Sequence, residues 1–442
     1  MTDVAVKDLR SVSPLPRELL LRAEGDLTGY VAAVQRIIDA VRDRGDASLA
    51  EFARDLDKVS AQRFSLRVTP QEMRAAYQAV SPEVVAAIGF AADNIRRFHE
   101  PQKPMELIWK EIGPGAFAGE RCLPIDSVAC YVPRGKGSFP SVVMMTTIPA
   151  RVAGVARIVI ITPPGPDGNV DAGTLVAADI AGVTEVYKCG GAHGIAAVAY
   201  GTETVPRCEK VVGPGSPWVV AAKRLLRDVI DPGIPAGPSE CLILADASAD
   251  GRLAALDLGI ESEHGPDSSV YLVTDSADVA SAAAQELSQV WSRMSAQRAE
   301  FSRSVLSGAH GGILLVKDLA AAIDFVNDYA PEHLQIMTAE PLAILGRIRN
   351  AGEILLGKYC PVTLGNFVLG PNAVLPTNRA ARTVSALSVH DFMRRSSVGY
   401  VTAAGYEALA RHAEVLARYE GFDGHANAVS ALRTRLLQSA SQ

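Results

Sequence analysis

The residues with the most chemistry in this 442-residue chain are two carboxylate–imidazole groupings. Glu261 and His264 stand three apart in Glu261-Ser262-Glu263-His264-Gly265-Pro266, so on a helix they share one face and could chelate one ion. A histidine near a helix C-terminus also complements the helix dipole, and taken in isolation that capping role is the better reading. Pro331-Glu332-His333 sets an acid beside an imidazole, and the two could divide base work. Neighbours along a strand point to opposite faces, so a shared site there requires a turn or loop. Two glycine-rich turns, Gly190-Gly191-Ala192-His193-Gly194 and Gly213-Pro214-Gly215-Ser216, each follow a strand pattern and open a helical one. Backbone N–H groups at such helix starts can receive a pyrophosphate. Neither turn matches GxGxxG or a P-loop, and on residue types alone both read as tight connections. His425, in the glycine-rich stretch 420–425, reads locally as a surface cap, and His99, His310, His390 and His412 form no pattern.

The elements that must position these residues follow from periodicity. Leu27 to Phe52 is an amphipathic helical stretch, and a second opens at Thr69-Pro70-Gln71-Glu72 with a capping pattern and ends before Pro101. From Ser127 the texture changes to short apolar strands alternating with helices: strands at 128–132, 157–162, 185–189 and 210–212, helices at 141–155, 172–181, 195–200 and 218–226. A second series has strands at 241–245, 270–274, 312–316 and 353–356, with helices at 248–264 and 320–330. Such alternation implies parallel sheets built from βαβ units. After about Leu387 the pattern is mainly helical, with a pair at 403–419 and 427–437 and a frayed tail at 438–442.

Composition narrows the class. Hydrophobic residues make up 48% and charged residues 21%, a globular balance, and the net charge of −6 comes without any basic tract, so a nucleic-acid partner has no support. Cys122, Cys130, Cys189, Cys208, Cys241 and Cys360 include no CxxC pair, which suits a reducing compartment. Met1-Thr2-Asp3-Val4 lacks the layout of a secretory signal, and no run approaches the ~18 apolar residues of a membrane span. The expectation is a soluble, cytoplasmic protein with no membrane partner.

Taken together, several segments resemble the histidinol dehydrogenase family in order and spacing, from about Tyr131 to His425. The pieces are Tyr131-Val132-Pro133, Gly213-Pro214-Gly215, Gly237-Pro238-Ser239-Glu240, 263–268, Ala330-Pro331-Glu332-His333-Leu334, Leu375-Pro376-Thr377, and His425 with Asn427-Ala428-Val429. The resemblance implies zinc held by Glu261, His264, Asn366 and His425, and a catalytic pair Glu332 and His333. It implies substrate contacts at Ser239 and Glu420, and NAD contacts at Tyr131, His193 and Ser216. It also implies a homodimer whose C-terminal region reaches into the neighbouring site, and two successive NAD-linked oxidations, alcohol to bound aldehyde to carboxylic acid.

The same resemblance implies an α/β fold of two incomplete Rossmann-like domains, a helical N-terminal segment and a helical C-terminal dimerisation arm. The expected division is 1–27, then 28–130 with 239–386 carrying the metal and catalytic residues, 131–238 binding NAD, and 387–442 as the arm. The chain departs from the family pattern where Glu261 stands for glutamine and Asn366 for aspartate. One amide and one carboxylate are thereby exchanged, and the charge around the ion is unchanged. Gly370-Pro371-Asn372-Ala373 replaces the family's Gly-Thr-Asn-His and removes an imidazole, while His193 and Ser216 replace glutamine and asparagine. The expected activity is oxidation of a polar primary alcohol, with L-histidinol itself a close competitor for the substrate. The rival classes are a zinc hydrolase and a catalytically silent nucleotide-binding regulator.

Overall fold

The computed structural model describes residues 4–22, 27–61, 64–135 and 137–439, so parts of the predicted N-terminal segment and tail lie outside the described residues. Contacts divide the chain into two compact units, Met1–Lys103 with Ile125–Phe392, and Pro104–Pro124 with Met393–Gln442. In chain order the strands are β1 (Val6–Asp8), β2 (Leu107–Gly113), β3 (Ala116–Pro124), β4 (Ser127–Tyr131), β5 (Arg157–Ile161), β6 (Glu185–Tyr187) and β7 (Lys210–Val212). They continue with β8 (Glu240–Ala245), β9 (Ser269–Thr274), β10 (Gly311–Leu315), β11 (His333–Met337), β12 (Glu353–Leu356) and β13 (Met393–Val401).

The larger unit holds two parallel sheets, as the alternating pattern predicts. One has the order β6-β5-β4-β7 and the other β1-β10-β9-β8-β11-β12. Parallel sheets are covered by helices on both faces, so their strands are apolar along their length. Val128, Ala129, Cys130, Val159, Ile160 and Ile161 have no exposed surface. Each sheet has a point where the strand order reverses, between β4 and β7 and between β8 and β11. These switch points leave a crevice between diverging connections.

Several boundaries differ from those predicted. The Leu27–Phe52 stretch is two helices, Thr28–Arg44 and Asp46–Asp55, broken at Gly45 with φ 49°, where a Cβ would come within 2.3 Å of the Glu203 carboxylate. The second stretch is also two helices, Pro70–Ala79 and Pro82–His99, because Ser81-Pro82 stops one and caps the next. Its predicted capping box is present: Thr69 N–H donates to Glu72 at 2.7 Å and Glu72 N–H to Thr69 Oγ1 at 3.2 Å. Helices 28–44 and 46–55, grouped above with 239–386, pack instead on the four-stranded sheet. Val34, Ile38, Val41 and Leu49 share one core with Tyr131, Val159 and Ile161. Strand β11 was not anticipated, because Gln335 interrupts its apolar run and His333 reads as an end rather than a beginning.

The smaller unit pairs β13, β3 and β2 in an antiparallel sheet, so the region after Leu387, expected to be mainly helical, has a short 3-10 turn at Val389–Phe392 and then a nine-residue strand. Helices Ala403–Tyr419, Asp423–Ala428 and Ala431–Ser439 follow, and His425 lies inside the second rather than in a loop. Trp109 stacks on Phe117 at 5.5 Å and on Tyr400 at 6.1 Å. Gly119 admits the tryptophan, since a Cβ there would lie 2.3 Å from that of Trp109. Much apolar surface of this unit is exposed within the chain, including Leu107, Ile112, Val415, Leu416 and Tyr419. Among the described residues no helix is long and apolar enough to cross a membrane.

Candidate active site

Ligands of open parallel sheets usually gather at the carboxyl ends of the strands. In the six-stranded sheet the acidic side chains collect at the opposite edge. Glu240, His333 and Glu353 each open a strand, and Glu332 occupies the bend before β11. The Gly251–Ser262 helix returns antiparallel to β8, and its C-terminus therefore brings Glu261 and His264 to the same amino-terminal edge. Asn366 arrives on the short Val362–Phe367 helix.

Glu261, His264, Asn366 and Ser239 come together. Glu261, 1% exposed, places Oε2 2.9 Å from His264 Nδ1 and accepts a 2.7 Å hydrogen bond at Oε1 from the Asn366 amide. Ser239 Oγ lies 2.9 Å from the same Nδ1. Burial alone would raise the Glu261 carboxyl, but the charge and hydrogen bond of His264, with His333 and Asn366, outweigh it and hold the group at about 2. His264 is raised in turn by Glu261. Glu261 and Asn366 are therefore hydrogen-bonded to each other. One carboxylate, one imidazole and an amide whose oxygen is still available form a donor set that suits a borderline divalent cation such as zinc.

Beside them stands a second array. His333 Nδ1 is 2.9 Å from Glu353 Oε2, and its Nε2 is 4.0 Å from Glu332 Oε1. Glu332 Oε2 accepts the backbone N–H of Glu240 at 2.8 Å. The bend at Glu332, preceded by Ala330 in the left-handed region with φ 53°, lets adjacent side chains share a site, as the sequence requires. Burial pushes the Glu332 carboxyl up to about 8. Burial lowers His333, but the hydrogen bond to Glu353 and the charges of Glu332 and Glu261 prevail and raise it to about 9. The geometry is that of a base oriented by a second carboxylate: Glu353 fixes the proton on Nδ1 and leaves Nε2 to act.

Two functional features were missed. In the sequence Glu353 reads only as a strand start; an acid opening the otherwise apolar Glu353-Ile354-Leu355-Leu356 is the signal that could find it. Gly365 makes room for it, since a Cβ there would lie 2.5 Å from Glu353 Oε1. The second is the anchor of the segment carrying Ser239. Glu240, 1% exposed, forms a bidentate pair with Arg22 at 2.9 and 2.8 Å and accepts the Asn378 N–H at 2.6 Å. Arg22 lies over the Tyr329 ring at 3.7 Å. Thr377 Oγ1 accepts the Gly237 N–H at 2.8 Å, so the Leu375-Pro376-Thr377 and Gly237-Pro238-Ser239-Glu240 motifs hold each other. Removing one partner of such a buried pair typically costs about 3–5 kcal/mol.

The positions implied for NAD lie at the carboxyl edge of the four-stranded sheet. Tyr131 ends β4 and is buried, the turn 190–194 follows β6, and exposed Ser216 precedes the Pro217–Leu225 helix after β7. Lys223 Nζ donates to Gly213 O at 2.8 Å and steadies that turn. His193 is 2% exposed, with Nε2 accepting the Gly190 N–H at 3.3 Å, so its imidazole braces its own turn rather than lying open. The backbone N–H groups of both turns and the ring of Tyr131 are compatible with a dinucleotide. Glu420 and His425 belong to the smaller unit, where both are exposed and His425 packs on Phe422 at 5.3 Å.

The raised groups fix how stability depends on pH. Glu332 and His333 both hold protons more tightly in the folded chain, so their contribution is full below their ordinary values of 4.5 and 6.5. It is lost as pH rises through about 8 and about 9. In chelated protein, Glu353→Gln should lower the His333 titration seen by NMR and flatten the loss of stability above pH ~6.5. An unmoved His333 titration would contradict the orienting role of Glu353.

A model of the histidinol dehydrogenase family matches residues 20–434. The chain is 61% identical to histidinol dehydrogenase homolog 2 of Mesorhizobium japonicum, covering 99% of this chain and all of that one. It is 57% identical to a histidinol dehydrogenase homolog of Rhizobium meliloti, covering 96% and 93%. Against the histidinol dehydrogenase of Synechocystis it is 46% identical over 93% and 95%. The crystal structure of histidinol dehydrogenase from Elizabethkingia anophelis superposes with a TM-score of 0.92 at 29% identity, covering 99% of both chains. With the family model, the full-length relatives and the superposed structure in agreement, the chain belongs to the histidinol dehydrogenase family, NAD-dependent oxidoreductases that take an alcohol through an aldehyde to an acid.

Proposed function

We propose that this chain is a zinc-dependent member of the family that oxidises a polar primary alcohol other than L-histidinol. The observation that carries this reading is the direct contact between Glu261 and Asn366. The exchanged carboxylate and amide keep one negative charge in the donor set but move it across the site. Glu261, His264 and Asn366 would hold the ion, with His425 supplied by a second copy of the chain. Bound there, it would act as a Lewis acid that fixes polar groups of the alcohol. NAD, one molecule for each oxidation, supplies the electron acceptor.

The chain's own residues then divide the proton chemistry. His333, raised to about 9, must first give up its Nε2 proton. The unprotonated form then accepts the hydroxyl proton at Nε2 while Glu353 holds Nδ1–H, 2.9 Å away, so the alcohol step should quicken as pH rises toward about 9. Glu332, raised to about 8 by burial, can take up a proton near neutral pH and activates water for hydration of the aldehyde. Keeping the aldehyde beside its hydrating base prevents its loss to solvent. Ser239, fixed against His264 at 2.9 Å, and Glu420 of the second copy position the substrate.

Two further observations support an altered substrate. Ala373 offers no hydrogen bond, and its loop is held by Asn372, which donates to Met145 O at 2.7 Å and accepts Val374 N–H at 2.9 Å. The relatives named homologs are also more similar, at 61% and 57%, than the histidinol dehydrogenase of Synechocystis at 46%. Assembly as a homodimer is supported by the exposed apolar surface of the smaller unit, with Tyr419 90% exposed beside Glu420. The six free cysteines are consistent with the cytoplasm.

NADH formation and acid product should be measured with L-histidinol and a panel of amino-alcohols, diols and sugar alcohols. A missing hydrogen bond to a substrate polar group can cost on the order of 1–3 kcal/mol. Another alcohol should therefore exceed L-histidinol in kcat/KM by about tenfold or more. A clear win for L-histidinol would establish the biosynthetic reading instead. For the composite site, inactive His264→Ala and His425→Ala chains should regain activity when mixed. A hybrid dimer gathers both defects into one site and leaves the other intact. No recovery despite verified hybrids would show that each chain completes its own site.

A further inference from the structure

Strand β11 carries a polar side chain where packing calls for an apolar one. Alternation sets His333, Gln335 and Met337 on one face of the six-stranded sheet. On that face Met337, Ile243 and Leu355 share a core with Ala254, Ala255 and Leu258 of the Gly251–Ser262 helix. Gln335 has no exposed surface, and among the described residues neither Oε1 nor Nε2 of its amide has a hydrogen-bond partner. Glu353 Oε1 is likewise buried without one, although Oε2 is engaged by His333. The register sets His333 opposite Glu353 and Gln335 opposite Leu355, so Gln335 and Glu353 are diagonal neighbours on one face. Strand spacing and rise put such neighbours about 8 Å apart at Cα, within reach of two long side chains.

The covering helix supplies a third group. Asp257, one turn before Glu261, is buried. Burial raises its carboxyl to about 6, while the nearby Gln335 amide acts in the opposite sense. Cys241 stands opposite His333 in the register. Its thiol is pushed up by burial and then by Glu261, Asp257, Glu332 and Glu353, so these carboxylates surround one point. A buried amide with both polar atoms unpaired is unfavourable, and a water bridging it to its neighbours removes the penalty. A water here would make three bonds, the usual number: it accepts from Gln335 Nε2–H and donates to Glu353 Oε1 and to Asp257. Gly365 keeps side-chain volume away from Oε1, since a Cβ there would lie 2.5 Å from it.

We propose that Gln335 and Asp257 are positioning residues of the alcohol oxidation, holding one buried water against Glu353 Oε1 so that Oε2 stays on His333 Nδ1. The inference rests on the reading of His333 as the base. Without the water, Glu353 loses a donor and can turn away from the ring.

The test compares zinc-loaded wild type with Gln335→Met, similar in volume but without hydrogen-bonding groups, and with Asp257→Leu and Asp257→Asn. The charged groups facing His333, which are Glu353, Glu332, Glu261 and His264, are the same in all four. In Gln335→Met the His333 titration seen by NMR should fall by about half a pH unit or more. With L-histidinol as a common probe, kcat should drop about tenfold while KM stays within about twofold. Asp257→Leu should do the same and decides the matter if Gln335→Met does not fold. Asp257→Asn removes the same charge but can still bond the water, so it should lose at least about threefold less kcat than Asp257→Leu. An unmoved His333 titration in folded Gln335→Met overturns the inference and leaves His333 standing as the base. So does a higher Tm with unchanged kcat, the mark of an amide that was merely unpaired. A His333→Ala chain as active as wild type would overturn the base role itself.

Discussion

Four glutamate side chains, Glu240, Glu261, Glu332 and Glu353, are buried along the amino-terminal edge of one parallel sheet, and the site depends on how each is compensated. An isolated ionised carboxylate in such surroundings is untenable, so each must find a cation, a set of donors or a proton. Glu240 has Arg22, Glu353 has the Nδ1 of His333, and Glu261 has His264 and the Asn366 amide. Glu332 has one backbone N–H and its own raised affinity for a proton. The differences separate the four: Glu240 anchors, Glu353 holds the His333 ring, Glu261 is kept ionised, and Glu332 is the group that can gain and lose a proton near neutral pH.

The motifs that carry the family resemblance have one physical explanation. Gly237-Pro238-Ser239-Glu240 and Leu375-Pro376-Thr377 are tied by the Gly237–Thr377 and Glu240–Asn378 bonds, so neither can move without the other. The Glu240 N–H in turn holds Glu332, which connects the anchor to the catalytic pair. A scaffold fixed at these points holds the Glu261–Asn366 pair and the Glu332–His333–Glu353 array independently of what occupies position 373.

Much of this was legible in the sequence, and the failures have specific causes. The two parallel sheets could be read because their strands are apolar on both faces. Strand β11 could not, because the buried Gln335 and the opening His333 break that signature. β2, β3 and β13 were invisible for the opposite reason: with much of both faces exposed within the chain, they show no buried alternation. Glu261 and His264 were visible as an i,i+3 pair, but Asn366 lies 105 residues from Glu261 and only the family likeness joined them. Glu353 and Arg22 act through partners far away in sequence, and no local pattern announces such a partner.

We propose that Glu261 and Asn366 compensate each other, one carboxylate and one amide together holding the ion. It is tested most directly by a double-mutant cycle on zinc affinity with Glu261→Gln, Asn366→Asp and the two combined. Glu261→Gln leaves two amides and no carboxylate, whereas Asn366→Asp sets two carboxylates together at 2.7 Å where a hydrogen bond now stands. The double variant restores one of each. Glu261→Gln should lose zinc, and Asn366→Asp should perturb zinc affinity and fold. The double variant should return toward wild type, with a coupling of about 1–3 kcal/mol. Additive losses, with the double variant the weakest of the three, would contradict it.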